Sequence, residues 1–187
     1  MPNHLESIPD EFKQACAGFL LDAYTATAKA CSADFGFPPP GAWSDDEEFL
    51  SYLYASPLAA RLAGLAQVAG GMANRNDTEF WQYIHDTLNS ILGATFLPPG
   101  AETGIYWVPE DYWHTGIGQM FALATIWLEG EQLITMTEAA RLQGVSLSTM
   151  ASRVHRGNVP VIFDPRAKNP QKGGRLLNRK DIPIVQK

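Results

Sequence analysis

Apolar residues recur three and four positions apart along most of this chain, the period of helices that bury one face. Phe12, Cys16, Phe19, Leu20 and Ala23 predict a long helix from Pro9 to Ala33, with Pro9, Asp10 and Glu11 suited to its first turn. A stiff loop, Phe37 to Gly41, follows with three consecutive prolines. Phe49, Leu50, Leu53 and Tyr54 predict a second helix, opened by Ser44 with Glu47 as a capping box. Pro57 begins a third, in which Leu58, Leu62, Leu65, Ala69 and Met72 form a stripe beside the small residues Ala59, Ala63, Ala66 and Gly70. That stripe suits close helix packing, either inside the domain or across a dimer seam. Trp81, Ile84, Leu88, Ile91 and Leu92 predict a fourth helix from Asp77 or Thr78, ended by Leu97-Pro98-Pro99-Gly100. From Gly116 to Leu128 nearly every position is apolar, which places that helix at the centre of an N-terminal domain or in an oligomer interface.

Beyond Gly130 the pattern shortens. Thr137 to Gly157 reads as two short helices around a glycine turn. Thr137 is the expected N-cap of a helix starting at Glu138, Gly144 stops that helix, Ser146 caps the next, and Gly157 supplies its C-cap. At a hundred degrees per residue, Leu147, Met150, Ala151 and Val154 share one sector of the second helix and are expected in the core. The opposite sector carries Ser148, Thr149, Ser152, Arg153 and Arg156, with no carboxylate among them. Hydroxyls and guanidinium groups are what phosphates and base edges take, and an acid in that stripe would be repelled. Val159 to Phe163 then has the content of a strand, and Arg175 to Leu177 can return as its partner. Arg166, Lys168 and Lys172 lie on the tip between them.

Ala140, four residues before Gly144, and Met150, six after it, resemble the helix-turn-helix mask. The run TEAARLQGVS, followed by GNVPVIFDP, is similar to the excisionase-type and MerR-type winged helix-turn-helix families, in which a glycine and a proline, here Gly157 and Pro160, lead into a β-hairpin wing. The resemblance is confined to the C-terminal region. Together with the helical periods upstream, it leads to the expectation of a mainly α protein: an N-terminal helical bundle-like domain plus, as the resemblance implies, a C-terminal winged helix-turn-helix with a small β-hairpin. It also implies DNA contacts from Ser146, Ser148, Thr149, Ser152, Arg153 and Arg156, and from Arg166, Lys168, Lys172 and Arg175 of the wing. Two positions differ from the families: Ser152 stands where a large basic residue is usual, and Arg153 where an apolar one is.

Charge sharpens this division. Residues 131–187 hold ten Lys or Arg against four Asp or Glu, a net +6, whereas residues 1–130 carry −12 of the chain's total of −6. The expected organisation is therefore an acidic all-helical domain, 1–130, for dimerisation or sensing, and a basic DNA-binding domain, 131–187. With 45% hydrophobic and 18% charged residues the composition is that of a globular protein. No secretory pattern opens the chain, and its longest apolar run is too short for a bilayer, so a cytoplasmic protein is expected. Cys16 and Cys31 are expected to be reduced and packed.

Double-stranded DNA is the expected partner, read by a homodimer formed through the N-terminal domain, with a small-molecule effector as a further candidate. The function this points to is a sequence-specific transcriptional regulator, without cofactor, metal or catalytic group. An excisionase-like architectural or recombination factor is the first alternative, and binding of protein by the same module is another. A further one is an N-terminal domain that binds a ligand or metal, or acts as an enzyme, through Glu110, Asp111 and His114 near Trp107, Tyr112 and Trp113, with DNA as its address. His85 and Asp86, adjacent on a helix, are expected to point apart.

Overall fold

The computed structural model describes residues 3–35, 47–73, 77–97, 108–156, 159–168 and 174–182. Their contacts divide into two units, Met1–Asn74 and Arg75–Lys187. The change of charge after Gly130 does not coincide with this division: the basic module shares its unit with residues 75–130. Charge marks what faces water, whereas the division of contacts follows apolar packing.

In the first unit, α1 (Asp10–Phe35), α2 (Glu47–Tyr54) and α3 (Pro57–Ala69) pack together with a 3-10 helix, His4–Ser7. Phe12, Cys16 and Leu20 are buried along α1, and burial pushes the Cys16 thiol up to about 12. Ser56 caps α3, accepting from the Ala59 amide, with Pro57 at the first helical position. Leu62, Leu65, Ala59 and Ala66 are fully buried on α3, which packs on α1, α2 and the 3-10 helix. The α3 stripe is thus an internal contact of its own unit; Met72, at its far end, is exposed. The expected cap at Ser44 and the triple-proline loop lie outside the described residues.

The second unit begins with α4 (Thr78–Phe96), capped by Asp77, whose carboxylate accepts from the Phe80 amide. A 3-10 helix, Glu110–His114, leads into α5 (Gly116–Glu129). Met120, Phe121, Ala122 and Ala124 of α5 are fully buried, and α5 packs on α4 and on the 3-10 helix. Burial of a side chain the size of Phe121 or Met120 contributes about 1.5–3 kcal/mol. The expectation of a central α5 holds, but it is central to the unit that includes the basic module.

After α5 come β1 (Leu133–Thr135), α6 (Met136–Gln143), α7 (Leu147–His155), β2 (Ile162–Phe163) and β3 (Arg175–Asn178). The strands form an antiparallel sheet in the order β1-β3-β2. Ile134 faces Leu177 across one ladder and Ile162 faces Leu176 across the other. The hairpin of β2 and β3 was expected; β1, three residues long, was not. Phe163 and Leu177 are buried from the sheet, α6 packs on β1 and β3, and β2 packs on α5. The described residues are mainly helical with one small sheet, and no helix among them is long and apolar enough to cross a membrane.

Candidate nucleic-acid interface

Local chemistry sets the two short helices. Thr135, not Thr137, caps α6: its hydroxyl accepts from the Glu138 amide at 3.2 Å, and the Glu138 carboxylate accepts from the Thr135 amide at 2.9 Å. That reciprocal pair completes a capping box, which a cap at Thr137 would forgo. The Thr135 backbone amide, with its hydroxyl, holds the Glu138 carboxyl below the usual range. Gly144 ends α6 in the left-handed region at φ 64, and the Val145 amide donates to the Ala140 carbonyl at 3.0 Å. No L side chain other than glycine adopts that dihedral without cost.

Ser146 caps α7 as expected, its Oγ accepting from the Thr149 amide at 3.1 Å. The same oxygen lies 2.8 Å from the Ser148 hydroxyl and 2.9 Å from that of Thr149, so three hydroxyls cluster at the positive end of the helix dipole. Met150 is fully buried and Ala140 nearly so, on helices α7 and α6, which pack on one another. Val154 is buried and Ala151 half-buried, but Leu147 is 51% exposed, against the expectation that it joins the core. It is the first residue of α7, where its side chain reaches past the packed sector.

Ser148, Thr149, Ser152 and Arg156 are exposed along α7, together with His155, three residues beyond Ser152. Sequence reasoning passed over His155, although its spacing from Ser152 places it on the same side. Arg153 departs from the expected face. It is half-buried, and its Nη1 donates to Oε1 of Gln143, a side chain only 5% exposed at the end of α6. The guanidinium thus ties α7 to α6.

The hairpin cations divide in the same way. Arg166 grips Asp164 through Nε at 2.9 Å and Nη2 at 3.2 Å. Burial alone would raise the Asp164 pKa, but the bonds from Arg166 outweigh it and leave the carboxyl below its ordinary value. Lys168 is exposed, and Lys172 lies outside the described residues, as does the expected C-cap Gly157. Arg175 is half-buried: it donates to Glu110 at 2.6 Å and lies over the Phe163 ring at 5.4 Å. Arg175 is therefore a joint between the hairpin and the 3-10 helix before α5, not an outward wing cation.

That joint also reassigns the acidic-aromatic cluster. Glu110 is turned to Arg175, the His114 ring packs 4.7 Å from Phe163, and Asp111 is exposed. No group of three His, Cys, Asp or Glu among the described residues could hold a metal ion. On α4, His85 Nδ1 sits 3.2 Å from Asp86 Oδ1, contrary to the expectation that they point apart; the side-chain torsions close what the helix spacing opens. The same ring stacks on Trp81, so it is also held from the preceding turn. Comparison with protein-family models, with characterised proteins and with solved structures returns no match.

Proposed function

We propose that this protein binds double-stranded DNA in a sequence-dependent way, with α7 in the major groove and the β2–β3 hairpin as a wing, and acts as a transcriptional regulator. One observation carries the reading: burial of Ala140 and Met150 across the left-handed Gly144 leaves an acid-free row of Ser148, Thr149, Ser152 and Arg156 exposed along α7. Hydroxyls at the start of the helix suit a phosphate at its positive end, and exposed Leu147 offers an apolar contact for a thymine methyl. The strand order β1-β3-β2, with α6 and α7 between β1 and β2, supports a winged helix-turn-helix.

One such module offers little contact area, so two copies reading two half-sites are part of the proposal. The α3 stripe, covered inside its own unit, is not the surface proposed for that pairing. Fluorescence anisotropy with a random-sequence duplex at low salt tests binding. The expected result is binding that weakens with salt by a slope of about −1.8 per copy and falls with Arg156→Ala and Lys168→Ala; no binding at low salt, or indifference to both substitutions, refutes it. Selection from a random duplex pool should return a palindrome, and a circular-permutation assay showing strong bending without a preferred sequence would favour an architectural factor instead.

A further inference from the structure

A cavity of about 360 Å³ opens within the second unit, between α4, α5 and the approach to β2. Leu88, Leu92, Trp113, Leu128, Val161 and Ile162 make an apolar wall. Well-packed interiors leave few voids larger than a water, and small-molecule sites run from about 300 Å³ upward with mostly apolar walls and a few polar groups. Trp113 is buried, yet its Nε1 donor has no hydrogen-bond partner among the described residues, a cost that an acceptor or an electron-rich ligand would relieve.

Beside the uncharged Asn89 and Thr125, the charged groups of the lining are unequal in sign. Glu129 and Asp181 contribute two carboxylates, and Lys180 one ammonium. Lys180 is a loose partner, its Nζ 3.8 Å from Glu129 Oε1, while Glu129 Oε2 accepts from Asn178 Nδ2 at 2.5 Å. Asp181 is exposed and adds the second negative charge. An anionic ligand would meet net repulsion there, and a cationic one attraction.

We propose that this cavity binds a small aromatic amine, its ring against the aliphatic wall and Trp113, where the π face can accept from Nε1, and its ammonium at Glu129 and Asp181. The site does not depend on the DNA-binding reading. Its regulatory consequence does: the walls join α4 and α5 to β2 and to the turn after β3, so an occupant ties the base of the wing to the helices behind it. By linkage, any change it makes in DNA affinity is matched by the change DNA makes in its own.

Three probes sharing one ring system separate the contributions: 1-naphthylmethylamine, 1-naphthylmethanol and 1-naphthoate, titrated calorimetrically into the full chain. The amine should bind tightest and the carboxylate weakest. Asp181→Asn should weaken the amine about three- to fivefold, the scale of an exposed ion pair, and leave the alcohol unchanged. Ile162→Trp should remove binding of all three while circular dichroism stays native. Equal affinity for the three probes, no heat at millimolar concentration, or an amine preference that survives Asp181→Asn unchanged would overturn the proposal. With the amine saturating, DNA affinity should shift by about fivefold or more, the low end of allosteric coupling. Amine binding with unaltered DNA affinity refutes the regulatory link, and amine binding by a chain that binds no DNA refutes the DNA reading while leaving the site in place.

Discussion

Replacing Arg153 by alanine separates an internal role for this residue from a DNA-contacting one. Its guanidinium donates to Gln143, and Gln143 is 5% exposed, so truncation leaves a buried amide oxygen without that donor. A hydrogen bond to a charged group is worth about 1.5–3 kcal/mol, and the orphaned acceptor keeps its desolvation cost. Urea unfolding followed by far-ultraviolet dichroism should show a midpoint lowered by about 1 M, taking about 2 kcal/mol over a slope of about 2 kcal/mol/M. A double-mutant cycle with Gln143→Ala should return a coupling of about 0.5–3 kcal/mol, as for side chains in direct contact. DNA binding provides the contrast. Removing one cation from a phosphate reduces the slope of log K against log salt by about 0.9. Arg156→Ala should show that reduction for each bound copy and Arg153→Ala should not. A stable Arg153→Ala protein whose salt slope falls by that amount would refute the reasoning, because the guanidinium would then be spent on phosphate and not on Gln143.

Three further outcomes follow from particular geometries. Gly144→Ala meets no atom within 4 Å of the added methyl, so its cost is the left-handed dihedral alone, about 1–2 kcal/mol, readable as a lowered melting temperature and absent if the turn relaxes. Cys16, buried with its thiol pushed to about 12, should resist iodoacetamide at pH 8 in a Cys31→Ser background and react in urea; rapid labelling of the native protein would contradict its burial. Asp164 has a folded pKa below its ordinary value, so its bond to Arg166 is at full strength above about pH 4 and is lost as pH falls through that lowered pKa. A carbon-detected titration placing Asp164 at or above the ordinary value would refute this, and Asp164→Asn should release Arg166 and steepen the DNA salt slope by about 0.9.

What was legible in the sequence was what neighbours along the chain decide. Ser146 and Asp77 accept from amides three residues on, Pro57 and Gly144 supply the backbone dihedrals of a helix start and a helix end, and each sits where its chemistry requires. Met150 and Val154 follow from helical period because both are buried on the helix that packs against α6. Leu147 fails the same arithmetic because period says which residues share a sector, not how far along the axis the covering surface extends. Thr135 was passed over as a cap because β1 is too short to show a strand period. The partners of Arg153 and Arg175 lie ten and sixty-five residues away, and only tertiary packing brings them together.

These distant partners change the electrostatics of the proposed interface more than they change the fold. The resemblance implies five arginine or lysine contacts from described residues: Arg153, Arg156, Arg166, Lys168 and Arg175. Three of these have acceptors inside the protomer, in Gln143, Asp164 and Glu110. A module that engages its cations internally gains orientation for the helix and the hairpin and gives up nonspecific attraction to the duplex, since that attraction comes from cations turned toward phosphate. Arg156 and Lys168 acting alone would neutralise only about two phosphates per copy, a slope of about −1.8. Discrimination between sequences must then come from the Ser148, Thr149 and Ser152 hydroxyls and from Leu147, whose contacts to bases are short-ranged and nearly independent of salt. A module built this way would bind poorly as a single copy, and a second copy on a palindromic site would double both the base-reading surface and the phosphate contacts, the step that brings it to a useful affinity.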